Sequence, residues 1–291
     1  MPAASIPSPG LATSSSGVRP AGRLVNIAHR GASWSAPEHT FAAYDLALHQ
    51  RADYLEIDLQ MTRDGVLVAL HDPTLGRTAD YGGKGCEGLV RARSLADLAG
   101  CEFGGWFNDT FPGRARPEFA GQPLPTLDAV MSRYGETTRY YVEMKQPESN
   151  PGMEAALVRQ IRKHGLYTAA VHEWGVLIES FSATSLRLTH RIEPELPLIQ
   201  LLPVVGSAAA QGHLAEIARY AVGVGVVHRD VDDALVAAVH GHGLVVHAYT
   251  VNDESEMERL LKLGVDGIFT DRPDRLTELR DWRHLTGHAA A

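Results

Sequence analysis

From Val222 to Thr270 the chain reads VGVGVVHRDVDDALVAAVHGHGLVVHAYTVNDESEMERLLKLGVDGIFT. Val222 to Val227 and Leu244 to Tyr249 are Val-rich runs of strand length, and Asp232 to His240 between them reads as a helix. Glu254 to Leu263 reads as a second helix, and Gly267 to Thr270 as a third strand. Strands alternating with helices in this way imply parallel strands joined by crossover helices. The same alternation extends back to Leu24. Strand-like runs begin near residues 24, 54, 139, 176 and 198, with helical stretches at 40–50, 153–164, 185–191 and 214–220. With those at 222, 244 and 267, the strands number eight. Eight units favour a closed α/β barrel, a (β/α)8 TIM barrel, over an open doubly wound sheet. The first strand is followed by no GxGxxG, which argues against a dinucleotide fold.

Residues 73–125 break the rhythm. The segment is rich in Gly, Pro and Asp and reads as a small insertion over the barrel mouth, since loops of that length are usually functional or disordered. The barrel is expected over 23–282. The Ala/Ser/Pro/Gly-rich residues 1–22 and residues 283–291 read as disordered tails.

The 291 residues suit one barrel with an insertion, and a hydrophobic fraction of 44% allows a large core. A formal net charge of −8 argues against general binding to nucleic acid or anionic membranes, which takes a basic footprint. No apolar run approaches a membrane span, and the first 22 residues lack the pattern of a signal peptide. The expected compartment is therefore the cytoplasm. In that reducing setting Cys86 and Cys101 are expected as free thiols. The alternative is one disulfide closing a short loop.

Reactive groups of such barrels sit at the C-terminal ends of the strands. The first strand runs into His29-Arg30-Gly31. The second carries Glu56 and Asp58, a short strand after it (Val66 to Leu70) ends in His71-Asp72, and the next barrel strand carries Glu143 and Lys145. Glu56 and Asp58 are two residues apart, so both face the same way from a strand, while Leu55, Ile57 and Leu59 face the helices. Glu143 and Lys145 repeat the pattern. Two carboxylates aimed into a barrel repel each other and lose solvation, and a cation between them relieves both penalties. Glu56, Asp58 and Glu143 together make an all-oxygen site for one divalent cation, Mg²⁺ or Ca²⁺ rather than zinc.

Histidine exchanges protons most readily near neutral pH. Phosphodiester cleavage takes one group to accept a proton from the attacking oxygen and another to donate one to the leaving alkoxide. His29 and His71 suit that task, with His71 as the acid and His29 as the base. Arg30 and Lys145 are placed to offset charge on the phosphate oxygens. His49, His164, His240, His242 and His284 lie in or beside helical runs and carry no assigned role.

In this order, His29-Arg30-Gly31, Pro37-Glu38-His39-Thr40, Glu56-Ile57-Asp58, His71-Asp72 and Glu143-Met144-Lys145 resemble the signature of the glycerophosphodiester phosphodiesterases. Tyr249-Thr250-Val251-Asn252 and Gly264 to Asp271 extend the resemblance, which covers about Leu24 to Leu279. It implies a barrel hydrolase that cleaves glycerophosphodiesters to sn-glycerol 3-phosphate and an alcohol. Glu56, Asp58 and Glu143 would be the metal ligands, and His29 and His71 the acid–base pair. Arg30 and Lys145 would contact phosphate, and Tyr249 would border the substrate. Two positions depart from the family pattern: His39 stands where Asn is usual, and Tyr249 where Trp is frequent. The resemblance leaves the alcohol, the preferred cation and the oligomeric state open.

Two other readings compete. A lysophospholipase D-type barrel would use an apolar insertion against lipid, and Leu89, Leu95, Leu98, Phe103, Trp106, Phe107 and Phe111 lie in the inserted segment. A silent barrel that only binds phosphorylated ligands predicts loss of a histidine or a carboxylate from the constellation, and all five are present.

Overall fold

The computed structural model describes residues 24–79, 86–203 and 206–286. Eight parallel strands form the barrel: β1 (Val25–Ala28), β2 (Tyr54–Met61), β4 (Tyr140–Met144), β5 (Val176–Ser180), β6 (Leu198–Leu201), β7 (Gly223–Val227), β8 (Val245–Tyr249) and β9 (Gly267–Thr270). They pair in the order β1-β9-β8-β7-β6-β5-β4-β2, and pairing of β1 with β2 closes the ring. A ninth strand, β3 (Leu67–Ala69), pairs antiparallel with the far end of β2.

Alternation within each strand creates two cores. Leu55, Ile57, Leu59, Val142, Met144 and Ile178 belong to the large outer core under the helices. Tyr54, Tyr141, Leu177, Ile199, Val245 and Phe269 belong to the smaller core that fills the barrel. The outward placement of Leu55, Ile57 and Leu59 is the one expected from sequence. Several helices begin on side-chain caps: Thr40 accepts from Ala43 N–H, Asp232 from Leu235 N–H, and Asp253 from Glu256 N–H.

The 73–125 segment is built from short helical turns on two small apolar clusters. Leu98, Phe103 and Phe107 are buried in them, and Leu89 is exposed. Most of the apolar side chains that suggested a lipid-facing rim are therefore partly or wholly used in packing the insertion. Arg77 and Arg114 tie the insertion to the loop after β1, through Glu38 and the Trp34 carbonyl respectively.

Cys86 and Cys101 are joined in a disulfide with Cα atoms 5.6 Å apart. This corrects the free-thiol expectation, which rested on a reducing compartment. The folded segment brings the two β-carbons together, and spacing alone could not show that. The cytoplasmic expectation loses the same support, since such bonds persist mainly in oxidising compartments. Among the described residues no helix is long and apolar enough to cross a membrane. The final helix runs Pro273–Thr286, so it continues four residues past the boundary expected at 282. The expected tail at 1–22, and residues 287–291 of the one expected at 283–291, lie outside the described residues.

Candidate active site

Along β2, β4 and β5 the inward positions change character toward the C-terminal end. Tyr54 is followed by Glu56 and Asp58, Tyr141 by Glu143 and Lys145, and Leu177 by Glu179 and Phe181. Aromatic and aliphatic side chains plug the lower barrel, and the ionisable groups collect above them. His29, Arg30, Glu56, His71, Glu143, Lys145 and Tyr249 line one cavity of about 190 Å³, together with Glu179, Phe181 and Phe269. That volume is below the roughly 300–1,000 Å³ typical of drug-sized ligands, so it suits a small polar ligand.

His71 reaches this cavity by a route the strand count did not anticipate. β2 rises past the barrel rim to Met61 and β3 returns antiparallel, with Leu59 opposite Ala69. The Leu70 N–H then donates to the Asp58 carbonyl at 2.9 Å, which sets His71 beside the level of Asp58. The carbonyl of His71 is held by Gln60 Nε2 at 3.1 Å.

Each histidine is backed by a carboxylate. His29 Nδ1 lies 2.6 Å from Asp271 Oδ1, and His71 Nδ1 lies 2.6 Å from Asp72 Oδ1. Donation from Nδ1 fixes the tautomer and leaves Nε2 as the ring nitrogen open to a ligand. Asp271 also accepts from Ser33 Oγ at 3.0 Å and Asn252 Nδ2 at 2.6 Å. Burial alone would raise its pKa, but these donors, His29 first, hold it near 2. Asp72 in turn receives Arg77 Nε at 2.6 Å. His71 is pushed down to about 4 by burial, with Arg30 and Lys145 adding to the shift against Asp58 and Asp72. Asp271 and Asn252 were missed as site residues, although both stood in quoted motifs. The signal available was their position just after β9 and β8, where barrel chemistry collects.

Arg30 has φ 60°, a left-handed conformation uncommon outside glycine. The turn directs its N–H at Glu56 Oε2, 2.6 Å away. Gly31 follows at φ 83°, where a β-carbon would lie 2.8 Å from Ala43 atoms, so glycine is needed. The Arg30 guanidinium spans Glu38 (3.1 Å) and Asp58 (3.2 Å). Glu38 is clamped from its other side by Arg77 at 2.6 and 2.8 Å, and despite burial it is held near pKa 2. Lys145 Nζ lies 3.0 Å from Glu143 and 3.6 Å from Asp58.

His39 occupies the position where the family pattern has Asn. It is buried at φ 54°. Its Nε2 lies 2.9 Å from Asp58 Oδ2 and its Nδ1 lies 3.0 Å from the Tyr44 hydroxyl. Burial lowers its pKa against the pull of Asp58. Asp58 is thereby held from three sides, by His39, Lys145 and Arg30, and stays well below the usual carboxylate range despite burial.

The remaining carboxylates lack such support. Burial, then repulsion from Asp58, pushes Glu56 up and takes Glu143 to about 8. Burial and the charge of Glu143 raise Glu179. Ligand atoms of Glu56, Glu143 and Glu179 lie within 4.8 Å of one another, as do those of His39, Glu56 and Asp58. The tightest groups thus differ from the expected Glu56–Asp58–Glu143 trio, with Glu56 common to both. A crowded, buried, all-oxygen donor set fits a hard divalent cation, which would relieve the repulsion.

Tyr249 forms an aromatic wall with Phe181 and Phe269, at ring separations of 6.1 and 6.5 Å. Its hydroxyl donates to the Leu202 carbonyl, so the ring face, rather than the polar tip, is free for the cavity.

Two carboxylate-backed histidines, an arginine, a lysine and a crowd of buried carboxylates at the C-terminal mouth of a barrel define a hydrolase of the barrel phosphodiesterase class. Residues 29–275 match the glycerophosphoryl diester phosphodiesterase family. A Bacillus subtilis (strain 168) glycerophosphodiester phosphodiesterase is 42% identical over 87% of this chain and 85% of its own length. A Caldanaerobacter subterraneus enzyme of the same name is 33% identical over 87% and 96%. The structure of an Oleispira antarctica phosphodiesterase in complex with the product sn-glycerol-3-phosphate superposes with a TM-score of 0.75 at 29% identity, covering 89% of this chain and 97% of that one. The chain belongs to the glycerophosphoryl diester phosphodiesterase family, and it is an enzyme of the phosphoric diester hydrolase class.

Proposed function

We propose that this enzyme hydrolyses glycerophosphodiesters to sn-glycerol 3-phosphate and an alcohol, with a divalent cation and two histidines. The observation that carries the reading is the pairing of His29 with Asp271 and of His71 with Asp72, the two histidines lining one cavity with Arg30, Lys145, Glu56 and Glu143. Glu56, Asp58 and Glu143 would hold the cation, Mg²⁺ or Ca²⁺, which when bound neutralises their charge and polarises a phosphoryl oxygen.

Arg30 and Lys145 bind the non-bridging oxygens of the phosphate. His29, held through Nδ1 by Asp271, accepts the proton of the attacking hydroxyl, from water or from the neighbouring glycerol oxygen; in the second case a cyclic phosphate forms as the alcohol leaves, and water then opens it to sn-glycerol 3-phosphate. His71 donates a proton to the leaving alkoxide. In the free site Arg30 and Lys145 disfavour the charged form of His71. An anionic phosphodiester seated against them offsets both charges and lets the ring carry the proton it delivers. Attack and departure are roughly in line, so one ring cannot serve both oxygens. The small cavity supports a glycerophosphate-sized ligand, and the Phe181–Tyr249–Phe269 wall borders the glycerol or alcohol moiety.

The test is turnover across several glycerophosphodiesters and lysophospholipids, with and without divalent cation. Release of sn-glycerol 3-phosphate from water-soluble diesters, lost on chelation, is the expected result. Turnover of lysolipids alone would replace this reading with the lysophospholipase D-type one.

A further inference from the structure

Glu179 is an inward carboxylate of the mouth that the sequence motifs do not include. It sits on β5 directly opposite Glu143 on β4, and Glu143 sits directly opposite Asp58 on β2. Asp58, Glu143 and Glu179 therefore form a row at one level of the barrel across three adjacent strands. Glu56 lies two positions below Asp58. The Glu179 side chain borders the cavity, is 2% exposed, and its Oε2 has no hydrogen-bond partner among the described residues.

A buried carboxylate oxygen without a donor is costly, and more so when the group is charged. The neighbouring cations are engaged elsewhere. Lys145 is within 3.0 Å of Glu143 and 3.6 Å of Asp58, and Arg30 spans Glu38 and Asp58. Four carboxylates (Glu56, Asp58, Glu143 and Glu179) thus share two nearby cationic side chains, Arg30 and Lys145. Fully ionised, the four carry two negative charges more than those cations, which one divalent cation would balance. The oxygens of Glu179 also lie within 4.8 Å of those of Glu56 and Glu143, close enough for one ion to reach all three.

We infer that Glu179 is a fourth carboxylate ligand of the divalent-cation centre, joining Glu56 and Glu143 from the β5 side. The assignment rests on the metal-dependent reading above. Asp58, held by His39 and two cations, anchors one flank of the centre, and Glu179 closes the other. Phe181, two residues on and half-exposed, borders the same cavity.

The test is titration of the full-length, metal-stripped protein with Mg²⁺ or Ca²⁺ by calorimetry, with thermal melting alongside. Wild type is expected to bind one cation and to melt higher with it. Glu179→Gln is expected to weaken cation binding at least tenfold and to lose most of that rise. In chelator the same variant should melt no lower than wild type, because a neutral amide replaces a carboxyl that burial and Glu143 already hold in its uncharged form. Glu179→Asp, which keeps the charge but shortens the arm, should bind with intermediate affinity and serves if the Gln variant does not fold. Wild-type affinity in both variants overturns the assignment while leaving the metal reading intact. Absence of cation binding by wild type overturns the metal reading and the assignment with it.

Discussion

His29 Nδ1 lies 2.6 Å from Asp271 Oδ1, across 242 positions of sequence. The other Asp271 oxygen is fixed by Asn252, so the carboxylate cannot turn away from the ring. Asp271→Asn would place an amide against Nδ1 and favour the wrong tautomer. Turnover should fall at least about 10²-fold, within the range that acid–base assistance supplies. Melting temperature and cation affinity should change little. Near-normal turnover by a folded Asp271→Asn enzyme would show that the pairing is only structural.

Removing divalent cation should abolish turnover, and Mg²⁺ or Ca²⁺ should restore it. The crowding of Glu56, Glu143 and Glu179 requires positive charge for all three to ionise together. Activity is assayed after exhaustive chelation and again after each cation is added back. Full activity in chelator would remove the cation from the mechanism.

The division of labour between the histidines is open to a leaving-group test. His29→Ala and His71→Ala should each lose at least about 10²-fold in turnover of a natural diester, while still binding cation. A substrate with an activated leaving group needs little proton donation. It should rescue His71→Ala and not His29→Ala. Equal rescue of the two variants would mean that the acid and base roles are wrongly divided.

The Cys86–Cys101 bond should matter for stability and not for turnover. It closes a loop of 15 residues in the insertion, away from the cavity lining. In the chain-entropy model such a loop contributes about 3 kcal/mol. The Cys86→Ser/Cys101→Ser double variant should unfold at lower denaturant concentration and keep its kcat. A collapse of kcat in the folded double variant would tie the insertion directly to the chemistry.

His247 predicts a pH dependence of folding. It is buried inside the barrel beside the Tyr141 hydroxyl, 2.9 Å from its Nδ1, and burial holds its pKa down to about 4. The unfolded chain takes up a proton near pH 6.5, and the folded chain does so only near 4. Stability from this residue is therefore complete above pH 6.5 and is lost as pH falls toward 4. A tenfold change in proton affinity is worth about 1.4 kcal/mol, so the loss approaches about 3 kcal/mol. His247→Gln should make the fall in unfolding free energy between pH 6.5 and 4 shallower, with His71 and His39 supplying the rest. An unchanged slope would place the acid sensitivity elsewhere.

The alternation of apolar and ionisable positions along single strands was legible in the one-dimensional text. With the count of eight strand–helix units it assigned the barrel and brought His29, Arg30, Glu56, Glu143 and Lys145 to one end of it, and the family resemblance added Tyr249. A strand has a period of two and a βα unit a fixed polarity, so local order already says which side chains face inward and at which rim. Glu179 obeyed the same rule between Leu177 and Phe181. It was passed over because a single inward carboxylate on a strand carries no pairing signal until its neighbour is known. The closure of the ring decided what local order could not. Register placed Glu179 against Glu143 and Asp58, the β2–β3 hairpin returned His71 to the rim, and the last strand end brought Asp271 to His29. Folding of the insertion likewise brought Cys86 to Cys101. Contacts between segments distant in sequence depend on how the sheet closes and how the loops pack, and those are properties of the whole chain.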